Sequence, residues 1–166
     1  MANKIEQGVD VNVPVTAAYN QWTQFEDFPQ FMRHVDNVRQ LDANHLRWSI
    51  TVGGKAREFD AEIVEQIPDK RIAWRSITGP RHSGVVTFHR LGDQKCRVML
   101  QLDYEPEGII EKVGSFLGVP KWDVEKDMAS FAGFLERQHT ATGAWRGQIL
   151  NKDDAARAAD VSPGDS

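Results

Sequence analysis

The polar side chains that could act on a ligand are few. Arg57, Ser76, Thr78, His82 and Tyr104 fall on one face of a run of alternating strands, mostly toward the Gly79-Pro80 turn. A small number of polar groups in an apolar cleft orients a ligand. His82 and Tyr104 are equally read as a cross-strand pair satisfying each other at a wet sheet edge, and Arg57 as a side chain snorkelling past its strand end. No catalytic residue is assigned; if the chain is an enzyme, His82 and Tyr104 are the acid/base candidates.

Other chemistries lack their residues. The histidines, His34, His45, His82, His89 and His139, show no HxxxH or HxH spacing, and the single cysteine, Cys96, has no second thiol beside it. No metal site is expected. The glycines at 53, 54, 114 and 118 fit neither a P-loop nor a dinucleotide fingerprint, so no cofactor is expected. Cys96 reads as a core residue and Ser76 has no activating base. Glu58, Asp60 and Glu62 alternate like paired carboxylates, but their cross-strand partners Arg47 and Arg75 make them an exposed ion-pair ladder.

The elements that position these residues follow from hydrophobic period. Ile5, Val9, Val11 and Val13 alternate with polar residues, a half-buried strand ending at Pro14. Val15 to Phe31 carries Ala18, Trp22 and Phe25 at helical spacing, and Pro29 divides it into two short helices. From Val35 to Tyr104 the period returns to two, with turn signals at 42–44, 53–54, 68–69, 79–81 and 92–94, giving six consecutive antiparallel strands. A last helix spans about Lys121 to Thr140. Its apolar face is drawn from Trp122, Glu125, Met128, Ala129, Phe131, Ala132 and Leu135. Residues 1–145 are read as the domain and 146–166 as a polar tail. Asn151 to Ser166 offer almost no apolar surface to offset ordering entropy.

Hairpin turns fix register, and register places the inner face in rows. One row reads Asn44, Ile63, Trp74, Val86, Leu100. The next reads Leu46, Ala61, Ser76, Gly84, Leu102, and the third Trp48, Phe59, Thr78, His82, Tyr104. A band of small residues therefore lies between bulky ones. Either it opens a pocket beneath the last helix, bordered also by Met128 and Phe131, or the helix makes its closest approach there. On the pocket reading, Gly84→Leu fills a void and the domain still folds.

The chain has 166 residues, 40% hydrophobic and 27% charged, with net charge −4. These values suit one globular domain and argue against a nucleic-acid partner, which needs clustered Lys and Arg. One cysteine and no long apolar run at the start point to the cytoplasm. No stretch is apolar for long enough to span a bilayer.

The segments Ile72-Ala73-Trp74-Arg75-Ser76, Ser83-Gly84-Val85-Val86-Thr87-Phe88, Arg97-Val98-Met99-Leu100 and Tyr104-Glu105-Pro106-Glu107-Gly108 resemble the polyketide cyclase/dehydrase-like, coenzyme Q-binding branch of the START-related SRPBCC superfamily. So do Val13-Pro14-Val15 to Trp22 and Phe25-Glu26-Asp27-Phe28-Pro29 to Phe31-Met32. The likeness spans roughly residues 4 to 140. It implies an α+β helix-grip (START/Bet v-like) fold: a curved seven-stranded antiparallel sheet, two short helices and a long C-terminal helix over a hydrophobic cavity.

The cavity residues are then Trp48, Arg57, Phe59, Ala61, Trp74, Ser76, Thr78, His82, Gly84, Val86, Leu100, Leu102, Tyr104, Met128 and Phe131. The expected function is binding or carriage of a small lipid-like, isoprenoid or polycyclic aromatic ligand. The alternatives are a cyclase/dehydrase acting by acid/base positioning and a protein-interaction module. Ile109, Ile110, Phe116 and Leu117 could form a membrane-facing lip.

Overall fold

The computed structural model describes residues 3–52, 54–79, 81–104 and 121–150. The chain runs β1 (Asn3–Val11), α1 (Val15–Trp22), a 3-10 helix (Phe25–Gln30), β2 (Val35–Asp42), β3 (His45–Val52), β4 (Lys55–Ile67), β5 (Arg71–Ser76), β6 (His82–Gly92), β7 (Lys95–Tyr104) and α2 (Lys121–Gln138). The seven strands form one antiparallel sheet in the order β1-β7-β6-β5-β4-β3-β2. β2 to β7 are a meander, and β1 closes the far side against β7.

Two short helices precede the meander, as expected, but Pro29 does not divide them. The break falls at Thr23 and Gln24, and Pro29 lies inside the 3-10 helix. So short a helix has few internal amide bonds for a proline to remove.

α2 buries Val124, Met128, Phe131, Ala132, Phe134 and Leu135. Glu125 and Ala129, assigned above to its apolar face, point to solvent, and the buried Asp127 lies on that face instead. The helix stops at His139, whose φ of 67° is a left-handed cap and whose amide donates to the Leu135 carbonyl at 2.7 Å. No helix among the described residues is long and apolar enough to cross a membrane.

Across the β3–β4 and β4–β5 hairpins the pairings singled out from sequence are those observed. Trp48 faces Phe59, Arg47 faces Asp60, Ile63 faces Trp74 and Glu62 faces Arg75. The carboxylates are the ion-pair ladder: Arg47 meets Asp60 at 2.8 Å and Arg75 meets Glu62 at 2.9 Å.

Across β5 and β6 the register differs. Trp74 faces Gly84, not Val86, and Ile72 faces Val86. The hairpin pivots on Gly79, whose φ of 76° only glycine adopts freely, rather than on Pro80. That moves every pairing by two residues. Because side chains alternate with period two, the slip leaves each residue on its own face but in a different row. The inner rows become Ile63, Trp74, Gly84, Leu102 and, beside it, Ile72, Val86, Leu100.

A bulge in β4 between Ile63 and Glu65 buries Glu65 and Gln66 together. Arg71 meets the Glu65 carboxylate at 2.7 Å. Past the bulge, Gln66 exchanges backbone hydrogen bonds with Ile149 at 2.7 and 2.9 Å. Residues 141–150 are thus an extended strap laid back over the domain. Its Arg146 guanidinium meets Asp69 at 3.0 Å and lies 5.4 Å from the Tyr19 ring centroid. The domain boundary drawn at 145 cuts through this strap, while Asn151 to Ser166 lie outside the described residues.

Two outcomes follow. A chain ended at Trp145 loses the Arg146 contacts and both Ile149 hydrogen bonds, together worth about 2 kcal/mol, and should melt roughly 4–8 °C lower in a calorimetric scan. Gly84→Leu cannot fill a void. A Cβ at Gly84 would lie 2.4 Å from Trp74 Cζ2, so the variant should lose ~1–3 kcal/mol in urea titration.

Candidate functional site: an aromatic cavity under the last helix

The inner face does not pack solid. A cavity of about 140 Å³ lies between the sheet, the 3-10 helix and α2. Its walls belong to two apolar clusters. The main core contributes Trp22, Phe25, Phe28, Leu46, Ile63, Ile72, Leu100, Val124 and Met128. A satellite of Ile50, Phe59 and Ala61 supplies Ile50 and Phe59, and Val35, Trp48 and Trp74 bridge the two clusters.

The aromatic geometry is specific. Trp48 and Phe59, opposed across β3 and β4, stack at 6.1 Å with ring planes 8° apart. His82 meets Phe59 edge to face at 4.8 Å, and Phe28 meets Trp48 likewise at 5.5 Å. Together these rings form a flat-sided slot with an imidazole at one wall.

Of the residues assigned to a cavity from sequence, the structure puts Trp48, Phe59, Trp74, His82, Leu100, Leu102 and Met128 on its wall. The others lie elsewhere. Ala61, Gly84, Val86 and Phe131 are buried but pack behind the lining. Ser76 is half-buried, and its Oγ accepts the His82 amide at 3.0 Å. Thr78 is exposed past the end of β5, where its Oγ1 accepts the Asp60 amide at 2.9 Å. Arg57 is half-buried opposite the wall residue Ile50 but is not itself part of the wall. The Tyr104 backbone pairs with His82, while its side chain is outside the described residues, as are Ile109, Ile110, Phe116 and Leu117.

Two polar wall residues were not picked out from sequence, His34 and Asp127. Asp127 Oδ1 accepts both the backbone amide and the Nε of Arg33 at 3.3 Å. Burial pushes the Asp127 carboxyl above its usual range, and the Arg33 bonds together with the nearby His34 oppose that rise without cancelling it. His34 Nδ1 lies 3.3 Å from the Thr51 carbonyl oxygen. A signal for Asp127 existed: it interrupts the apolar stripe of Val124, Met128, Phe131 and Leu135, where a carboxylate has no packing reason to be.

The remaining reactive group is elsewhere. Cys96 is fully buried on β7, and burial pushes its thiol up to about 11. Among the described residues, no three His, Cys, Asp or Glu side chains are grouped to hold a metal ion.

Solved structures share this architecture. A Deinococcus radiodurans protein superposes with a TM-score of 0.66 at 26% identity, covering 82% of this chain and 98% of that one. The ZhuI aromatase/cyclase of Streptomyces sp. R1128 gives 0.71 at 16% identity, covering 87% of this chain and 100% of that one. A START superfamily protein of Mycobacterium smegmatis gives 0.62 at 16% identity, over 81% of this chain and 95% of that one. An uncharacterized 17.2 kDa Streptomyces lincolnensis protein from the melC2-rnhH intergenic region is 48% identical over 149 residues, 89% of this chain and 99% of its own. The family model described as polyketide cyclase / dehydrase and lipid transport matches residues 11–132. With the curved seven-stranded sheet, the C-terminal helix and that match in agreement, this chain has a START-like fold and belongs to the polyketide cyclase / dehydrase and lipid transport family.

Proposed function

We propose that this domain binds a small apolar molecule, ring-containing or isoprenoid, within the cavity and releases it chemically unchanged. The observation carrying this reading is the wall itself. Among the described residues, sixteen of the nineteen on the wall are apolar or aromatic, and His34, His82 and Asp127 are the exceptions. Such a wall gains by excluding water from an apolar guest, at ~25 cal/mol per Å² of apolar surface buried. Among the described residues, the wall carries no serine, threonine or cysteine to serve as a nucleophile.

A second reading has one observation in its favour. His34, His82 and Asp127 border the same cavity, and a carboxyl raised by burial that shares a wall with two imidazoles suits acid/base work on an enolisable ligand. The family's description embraces both cyclases and lipid transport. Under this reading the product differs from the ligand offered.

One titration separates the two. Trp22, Trp48 and Trp74 border the cavity, so a bound quinone, aromatic polyketide or fatty acid should change tryptophan emission saturably. Mass spectrometry should return the ligand intact. A cyclised or dehydrated product overturns the carrier reading. Absence of saturable binding by all three classes overturns ligand binding itself.

Asp127 makes a further expectation. Its carboxyl titrates higher in the folded chain than in the unfolded one, so ionising it costs stability. The cost is absent where Asp127 is protonated in both states, grows as pH rises from the unfolded toward the folded value, and is complete above it. Asp127→Asn removes the cost. The variant should melt on the order of a few degrees above wild type at neutral pH, with the gap shrinking as pH falls through the carboxylate range.

A further inference from the structure

We infer that Trp74, seated on Gly84, is the specificity-determining residue of the cavity, an indole stop that sets how long a ring system the site admits. This rests on the ligand-binding reading above.

Gly84 faces Trp74 directly across β5 and β6. Three atoms of the Trp74 six-membered ring, Cζ2, Cε2 and Cη2, lie 2.4, 2.7 and 2.9 Å from where a Gly84 Cβ would stand. Real Cβ atoms do not approach so closely. The indole therefore occupies the volume that any other residue at position 84 would claim. Gly84 is not in the left-handed region, so its role is room for the ring and not an unusual backbone.

The surroundings make Trp74 the bulk that fills the small-residue band. On the β4 side Trp74 faces the buried Ile63, with the small Ala61 diagonal to it in the adjacent row, and on the β6 side Gly84 contributes no side chain at all. Trp74 borders the cavity on one side and packs against both apolar clusters. Behind it lies the small-residue band, occupied here by indole instead of empty. Removing the indole would join that band to the cavity and lengthen the site by about the footprint of two fused rings. Conversely, a methyl group at position 84 would push the indole outward and shorten the site.

The test measures binding of naphthol, anthrol and hydroxytetracene by equilibrium dialysis, a readout independent of the tryptophan removed. Wild type should prefer naphthol to hydroxytetracene by about tenfold or more, and Trp74→Ala should abolish or invert that preference. Gly84→Ala should weaken binding of all three probes, and the Gly84→Ala/Trp74→Ala double variant should bind like Trp74→Ala alone, because the clash needs both partners. Should Gly84→Ala fail to melt cooperatively, Trp74→Phe substitutes for it and should shift the preference partway toward longer probes. A cooperatively folded Trp74→Ala that keeps the wild-type preference overturns the inference while leaving ligand binding intact. If neither wild type nor Trp74→Ala binds any probe, the ligand-binding reading has failed and the stop falls with it. If Trp74→Ala alone binds, and binds hydroxytetracene best, the stop stands.

Discussion

The structure depends on a mismatch of widths. Six spacings of ~4.8 Å make a seven-stranded sheet roughly 29 Å across, whereas a helix with its side chains is ~10 Å wide. One face of this sheet is apolar and must be covered, and α2 alone cannot roof it. α1 and the 3-10 helix share the task. The three roofing pieces meet at Trp22, which contacts Phe28 of the 3-10 helix, Phe131 of α2 and Phe88 of β6 edge to face at 5.2, 5.1 and 6.3 Å. Where roof and sheet diverge, side chains no longer reach each other, and the cavity is what remains.

That origin explains the division of labour around the cavity. The wall toward Trp22 belongs to the main core and is held from many directions. The wall toward Phe59 belongs to a satellite of three residues, stiffened mainly by aromatic stacking with Trp48 and by His82. Arg33 ties α2 to the segment before β2 through Asp127, yet that carboxylate is buried at a cost. A residue that costs stability at a cavity wall fits the common trade in which binding sites are paid for by the scaffold. The ion pairs of the convex face are exposed, so they contribute solubility and register more than stability.

Most of the fold was legible in the sequence, because alternation over 70 consecutive positions and short glycine-bearing turns leave few topologies open. The register at Gly53-Gly54 followed from turn position, whereas at Pro68-Asp69 the turn pairs Ile67 with Arg71, one residue off, and the bulge beyond Ile63 restores the expected Ile63–Trp74 pairing. The register of the Gly79 hairpin did not follow from turn position, since Gly79 and Pro80 compete to be the pivot and either choice keeps apolar residues inward. That ambiguity hid the Trp74–Gly84 pair, so that the indole filling the band was neither of the two readings the sequence offered. The bulge after Ile63 was invisible for a related reason: one extra residue inside a thirteen-residue strand leaves no turn signal. Asp127 was overlooked by averaging it into an amphipathic helix. The strap was missed because polar residues such as Arg146 dock through single directed contacts, which carry no periodicity.

Cys96 gives the molecule a natural clock. It is the only thiol in the chain, has no exposed surface, and at a pKa of about 11 holds almost no thiolate at neutral pH. It sits on β7 directly opposite Val11, the last residue of β1. A thiol reagent can therefore report when that margin of the sheet comes apart, and the rate of modification in native buffer measures how often it opens. No label needs to be engineered, and a ligand that tightens the sheet would slow the reaction without touching the sulfur.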